Sequence, residues 1–248
     1  MTELTLDTYT PTRRELKQRP LDFYVRPDSS DIKAIQEVVD GNGYQRPRLG
    51  FTFEPADRWL DGGANVGAFS VWAAWHNVEH ITTVEPDLDH IHITDLNLTR
   101  NGYTTNLVHG ALVPNDYTDN HVTLHTCDNP KKAWRHSIMW ERRDSHPVQV
   151  PAHRINTVIN DNNINAVKLD IEGAEIPMLC SDTFPHHQLN KLVFEWSFDV
   201  ERRMSVLRGV LDTIYDQYPN VKLSKNNLPW HLPTYDFFPP QVLVYAWK

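Results

Sequence analysis

The stretch Trp59-Leu60-Asp61-Gly62-Gly63-Ala64-Asn65-Val66-Gly67-Ala68-Phe69-Ser70 places three of the chain's ten glycines between an apolar β-like run and an apolar helical one. In an open α/β sheet this junction is where a ligand lies, at the carboxyl ends of the strands. Small residues let the backbone approach the ligand, and the free N–H groups of the helix start point at it. A tight βα turn without a ligand would use the same glycines. Glu85 weighs against that plainer reading. It closes the next strand in Thr83-Val84-Glu85-Pro86, 22 positions after Gly63, where an acid takes the two hydroxyls of a ribose.

The six residues Gly62 to Gly67 fit the dinucleotide fingerprint poorly. Its second glycine lets the backbone touch a pyrophosphate, yet Ala64 stands there, and the acidic Asp61 sits just before the turn. An acid beside a pyrophosphate is unfavourable, whereas an acid beside an ammonium or sulfonium is favourable. The turn is therefore read as an S-adenosylmethionine site. Asp61, Gly62, Gly63, Asn65, Gly67, Glu85, Pro86 and Ala111 are its expected cofactor-binding residues, with Asp170 joining them from a later strand.

Strand-then-helix alternation extends outward from the turn: Arg58 to Asp61 then Val66 to Asn77, and Ile81 to Glu85 then Asp87 to Asn101. Repetition of that unit predicts a parallel sheet with helices on both faces. Asn106 to Val113 and His121 to Thr126 read as strands, and polar Asp128 to His146 reads as a long loop. The alternation resumes with the strand Ala166 to Asp170, a helix from about Gly173, the strand Lys191 to Trp196 and a helix from Val200 to Tyr218. That last helix carries the stripe Val200, Met204, Leu207, Leu211, Ile214, Tyr218. Val221 to Leu223, a loop with Pro229, Pro233, Pro239 and Pro240, and Val242 to Trp247 predict an antiparallel strand pair at the end. Upstream, Asp31 to Asp40 predicts a short amphipathic helix stopped by Gly41-Asn42-Gly43. The expectation is an N-terminal extension over residues 1–55 packing on a catalytic core over residues 56–248.

At this level the chain resembles the class I S-adenosylmethionine-dependent methyltransferases, and within them the FkbM-like family. The resemblance is carried by Leu60 to Ser70, by Val84-Glu85-Pro86, by Asn97 through Asn101-Gly102, and above all by Lys168-Leu169-Asp170-Ile171-Glu172-Gly173-Ala174-Glu175. The preceding segment Val25 to Asp31, with Glu37 and Tyr44 following, also looks like the family's. Roughly Leu21 to Trp247 is covered. Gly62 departs from the family's pattern, which more often has a larger residue there. The resemblance implies a Rossmann-like seven-stranded sheet, a methyl donor and, usually, O-methylation.

Methyl transfer is an in-line displacement, so the protein's main task is to align the acceptor with the methyl group. A sugar-type hydroxyl also needs its proton removed. Asp170, emerging at the carboxyl edge beside the donor, is the first candidate base; Glu172 in the same turn and Glu195 ending the next strand complete a trio of acids. Asp170 has two other possible uses, holding the donor's amino group or orienting Gly63, and Glu195 has one in pairing with Arg26. Glu175, in the first turn of a helix with Pro177 close behind, reads as an offset to the helix dipole. The segment Lys131 to Arg143 holds five of the chain's 24 basic residues. It is the expected acceptor loop, with Trp134, Arg135, His136, Ser137 and Trp140 touching substrate and His136 sharing the base role; a solvated charge run whose tryptophans plug the core is the alternative. Part of this loop, His136-Ser137-Ile138, resembles a segment of the family.

No metal site is expected: His90-x-His92 and His186-His187 lack a partner at ligand spacing, and His121 and His125 sit too far apart on a strand. A divalent ion at Asp170, Glu172 and Glu195 is the alternative left open. The balance of 32 acidic against 24 Lys and Arg residues, net charge -8, repels polyanions. The polar start Met1 to Lys17, the lack of an apolar run of membrane-spanning length, and only two cysteines, Cys127 and Cys180, point to the cytoplasm and free thiols. The expected activity is O-methylation of a sugar, glycan or sugar-containing metabolite. An RNA ribose 2'-O-methyltransferase is one rival, weakened because Gly173 and Ala174 occupy the turn where such enzymes place a lysine; a non-catalytic Rossmann-like binding or assembly module is the other.

Overall fold

Trp59 and Leu60, and Leu192, Val193 and Phe194, are wholly buried neighbours along extended chain. Successive strand side chains point to opposite faces, so both faces of the sheet must be covered. The computed structural model describes residues 9–16, 19–41, 43–127, 129–198, 201–225, 228–232 and 241–248. Asn42, Asp128, Val200, Pro233, Pro239 and Pro240, which figured in the expected elements, lie outside them. The strands are β1 (Thr10–Arg14), β2 (Leu21–Val25), β3 (Arg58–Gly62), β4 (His80–Glu85), β5 (Asn106–His109), β6 (Ala111–Val113), β7 (His121–Cys127), β8 (Ser145–Arg154), β9 (Ala166–Leu169), β10 (Lys191–Ser197), β11 (Asn220–Lys225), β12 (Leu228–Trp230) and β13 (Gln241–Trp247). The helices are α1 (Asp31–Ile35), α2 (Ala68–Trp75), α3 (Leu88–Arg100), α4 (Ile155–Asp161), α5 (Glu175–Leu179) and α6 (Met204–Gln217).

The main sheet has the order β12-β11-β13-β10-β9-β3-β4-β5. Strands β10, β9, β3, β4 and β5 run parallel, and β13 is antiparallel to both β10 and β11. The mostly parallel sheet with an antiparallel end is as expected, with eight strands rather than seven. The extra one, Leu228-Pro229-Trp230, is a short edge strand, where the missing proline N–H is tolerated.

Two hydrophobic clusters cover the two faces. One joins Leu60, Val167, Leu192 and Phe194 to α4, α5 and α6. The other joins Trp59, Val193 and Tyr245 to α2, α3 and the N-terminal elements, including Phe23, Ile35 and Phe51. Every residue of α2 is buried, because the N-terminal segment covers the side that the sheet does not. Four of the chain's eight tryptophans, Trp59, Trp72, Trp75 and Trp196, are buried in these clusters. The expected helix over residues 31–40 divides, α1 giving way to one π-helical turn at Gln36–Asp40.

The expected single strand Asn106 to Val113 is broken at Gly110. With φ at 147° and His153 and the Pro151 carbonyl pressed against the position of a Cβ, only glycine fits there. Beyond it the chain leaves the main sheet, and β6 joins β8 and β7 in a separate three-stranded sheet. No described helix is long and apolar enough to cross a membrane.

Candidate functional site

Parallel register brings the chemistry to one edge. Asp61 pairs with Lys168 and Thr83, Gly62 with Leu169 and Val84, and Phe194 with Leu169, so Gly63, Glu85, Asp170 and Glu195 emerge together. A cavity of about 330 Å³ opens there, walled by Gly63, Ala64, Asn65, Glu85, Pro86, Ala111, Asp170, Glu172 and Glu195 on one side and by Glu37, Tyr44, Trp134, His136 and Ser137 on the others. Gly63 has φ at 76°, and a Cβ there would run into the backbone carbonyl of Asp170. The two strand ends touch, so a side chain would force them apart.

Asp61 does not face the cavity, contrary to the expectation that it would neutralise the donor's cation. It is fully buried, and its carboxylate accepts from Lys168 Nζ at 2.9 Å and from Ser70 Oγ at 2.7 Å. Lys168 Nζ also donates to the carbonyls of Gly62, at 3.1 Å, and Gly63, at 2.6 Å. Burial opposes the charge on Lys168, but Asp61 and Asp170 outweigh it and its pKa is raised. The pair thus holds the glycine turn from behind. Gly62 and Gly67 likewise sit behind the wall. Glu85 is on it: one carboxylate oxygen accepts from Asn65 N at 2.8 Å, the other from Asp87 N at 3.0 Å.

The acid trio is assembled, with two members added. Tyr44 donates to Asp170 Oδ2 at 2.6 Å, and Glu37 lines the same cavity. Burial, then the negative charge of Asp170, pushes Glu37 up and pushes Glu172 and Glu195 well above the usual carboxylate range. Burial and the same acids raise Tyr44 too. The idea that Glu195 pairs with Arg26 is corrected: Arg26 is held by Asp31, at 2.6 Å and 3.0 Å.

Glu175 is buried behind the site and accepts from Gly173 N at 3.1 Å. Burial raises its carboxyl to about 8. A carboxyl raised by folding favours the native state most when neutral; that contribution is full below the unfolded value of about 4.3 and is lost as pH climbs toward 8. Glu175→Gln should therefore have little effect on thermal stability at pH 4.5 and stabilise by up to about 5 kcal/mol at pH 8.5. Unfolding curves at the two pH values check this, and equal effects at both would refute the assignment.

The loop expected to meet the acceptor contains a short 3-10 turn, Pro130–Arg135, rather than irregular chain alone. Trp134, His136 and Ser137 reach the cavity. Ser137 Oγ donates to the Glu172 carbonyl at 2.8 Å, tying loop to acid turn. Arg135 and Trp140 do not line the cavity: Arg135 lies over the Trp134 ring at 4.6 Å, and Trp140 is 40% exposed. Nor is His136 closest to the acid trio, since its Nδ1 lies 3.3 Å from Asp87 Oδ2 and its ring stacks on His90, centroids 5.1 Å apart. His90 thus meets two potential ligands that its sequence spacing did not reveal.

Lys168 and Tyr44 carried no role in the sequence reading. Lys168 had a signal: a lysine within the apolar strand Ala-Val-Lys-Leu needs a buried counter-ion, and Asp61 has the same position in β3. Tyr44 was marked only by the resemblance, and nothing near it points to Asp170, 126 positions away.

Residues 61–217 match the family model of the methyltransferase FkbM domain, more than half of the chain. A search of curated protein sequences found no match. Among solved structures, methyltransferase FkbM from Methylobacillus flagellatus KT aligns at 17% identity and TM-score 0.49, covering 82% of this chain and 47% of that one. The present chain thus spans about half the length of that protein. Precorrin-6y C5,15-methyltransferase from Geobacter metallireducens GS-15 aligns at 13% identity and TM-score 0.43, covering 87% and 88%. A Pyrococcus abyssi tRNA (uracil-54, C5)-methyltransferase, solved with S-adenosyl-L-homocysteine, aligns at 12% and 0.44, covering 95% and 43%. At these similarities none of the three bears on the substrate.

Proposed function

Since the chain belongs to the FkbM methyltransferase family, we propose that it methylates a hydroxyl of a sugar, glycan or sugar-containing metabolite, with S-adenosylmethionine as donor. The observation that carries this reading is the polarity of the cavity. Glu85 stands at one strand end beside the Gly63 turn, Asp170, Glu172 and Glu195 come from the end of β9, its following turn and β10, and Glu37 joins them from the helical turn Gln36–Asp40. An acid-lined cavity suits a ligand bearing an ammonium and a sulfonium, and Glu85 is placed to take a ribose diol. When bound, S-adenosylmethionine supplies a methyl group on a positively charged sulfur, which departs as a neutral thioether.

The chain's own residues do the rest. The Gly63 to Asn65 backbone and Glu85 hold the donor. Asp170, oriented by Tyr44, takes the acceptor's proton, and Trp134 offers a face on which a sugar ring can stack. Lys168 is committed to Asp61 and two backbone carbonyls, so it does not provide the basic group of an RNA ribose methyltransferase. The net charge of -8 also disfavours a polyanionic acceptor. Two thiols and the net charge of -8 fit a cytoplasmic setting.

The test pairs binding with transfer. S-adenosylhomocysteine at 100 times its Kd should stabilise the protein by about 2.7 kcal/mol. Labelled methyl groups should then appear on glycan or sugar-metabolite fractions and not on RNA. No stabilisation at millimolar ligand removes the donor site; label found on RNA removes the acceptor class.

A further inference from the structure

The cavity wall beyond Glu85 brings together a carboxylate and two imidazoles from separate parts of the chain. Asp87 is the N-cap of α3, His90 lies in its first turn, and His136 comes from the acceptor loop. One potential ligand atom from each lies within 4.8 Å of the others. The atoms are also the right ones. Asp87 Oδ1 is occupied in capping, accepting from Asp89 N at 2.9 Å and His90 N at 3.0 Å, which leaves Oδ2 to face His136 Nδ1.

His90 is 2% exposed, and its Nδ1 faces Glu85 Oε1 at 3.4 Å while its Nε2 has no hydrogen-bond partner. A carboxylate behind one ring nitrogen, with the other nitrogen bare, is the arrangement that orients a metal-binding histidine. His136 Nε2 is likewise buried without a hydrogen-bond partner, while its Nδ1 faces Asp87 Oδ2. Two buried imidazole nitrogens left bare in one cluster are costly unless something binds them. The 3.3 Å between His136 Nδ1 and Asp87 Oδ2 matches the edge of about 3.3–3.5 Å expected between ligands of a tetrahedral zinc site.

We propose that Asp87, His90 and His136 bind one divalent transition-metal ion of the zinc class, with a fourth position left toward the cavity that His90 and His136 line. Two imidazoles and a carboxylate select zinc-like ions over magnesium or calcium, which take oxygen ligands. The ion fastens the acceptor loop to the end of β4. This inference does not rest on the methyl-transfer reading, because its readout is metal binding alone.

The full chain, stripped with a chelator, is titrated with Zn²⁺ by calorimetry and with Co²⁺ by visible absorption. The expected result is one ion per chain and the intense d–d bands of four-coordinate cobalt. Asp87→Asn retains the helix cap, and both it and His136→Asn should weaken binding at least about tenfold with circular dichroism unchanged. His187→Asn, at an exposed histidine outside the cluster, should leave binding as it was. Should the variants misfold, cobalt-loaded wild-type protein should still show two paramagnetically shifted imidazole N–H resonances. Absence of saturable binding by the wild type, wild-type affinity in both cluster variants, or no shifted imidazole resonances would overturn the site.

Discussion

Asp170→Asn is expected to lower methyl transfer by about 10²–10⁴-fold, the usual weight of a positioned general base, while leaving S-adenosylhomocysteine binding close to that of the wild type. The side chain keeps its size, and its amide oxygen still accepts from the Tyr44 hydroxyl that now lies 2.6 Å from Oδ2. What disappears is the negative charge. That charge helps raise Glu37, Glu172 and Glu195. In the variant these three should ionise at lower pH, and the acid limb of whatever activity remains should move down with them. Rate against pH, measured beside a thermal-shift titration, separates the possibilities. Unchanged turnover would show that Asp170 is not the base; lost turnover together with lost ligand binding would make it a donor-binding residue instead.

Local signals were strong where one element carries its own message. The turn from Gly62 to Gly67, the strand-ending Glu85 and Asp170, and the spacing of Leu207, Leu211 and Ile214 on α6 each depend on neighbours a few positions away. Their elements stand close to where the sequence placed them. The α4 segment Ile-Asn-Thr-Val-Ile-Asn-Asp was not legible because its residues are weak helix formers, and it is short. Strand β8 was missed entirely, because Ser145 to Gln149 is largely exposed, Pro147 and Pro151 interrupt the run, and one buried residue, Val150, gives no apolar alternation.

The site was legible to the extent that its residues end strands. What stayed hidden depends on how distant segments meet. Asp61 looked like a group facing a cation because nothing local shows that Lys168, 107 positions away, closes it off. Asp87, His90 and His136 looked unrelated because His136 lies 46 positions beyond His90 and meets it only through the fold. Trp140 and Arg135 shared a segment with Trp134 and His136, but Arg135 packs over the Trp134 ring and Trp140 stays exposed. Composition within a loop does not say which side faces the ligand.

Removing Lys168 should have the largest effect on stability. Its ammonium group is 3% exposed, opposite a fully buried Asp61. Breaking a buried pair from one side leaves an uncompensated charge, so Lys168→Met is expected to destabilise by about 3–5 kcal/mol, lowering Tm by about 10 °C for a chain of this size. The lost donors to the Gly62 and Gly63 carbonyls add to this. Asp61→Asn combined with Lys168→Met removes both charges and keeps an acceptor for Ser70 Oγ, so the double variant should recover more than half of the loss. Thermal and urea unfolding of the wild type, both single variants and the double variant measure the coupling; a double variant no better than Lys168→Met would mean that volume, not charge, is what Lys168 contributes. A control separates stability from site geometry. Leu211→Ala, in the core under α6, should cost about 2–5 kcal/mol without touching the turn. If Lys168 positions Gly63, the lysine variants bind S-adenosylhomocysteine more weakly at temperatures where every protein is folded, and the leucine variant does not.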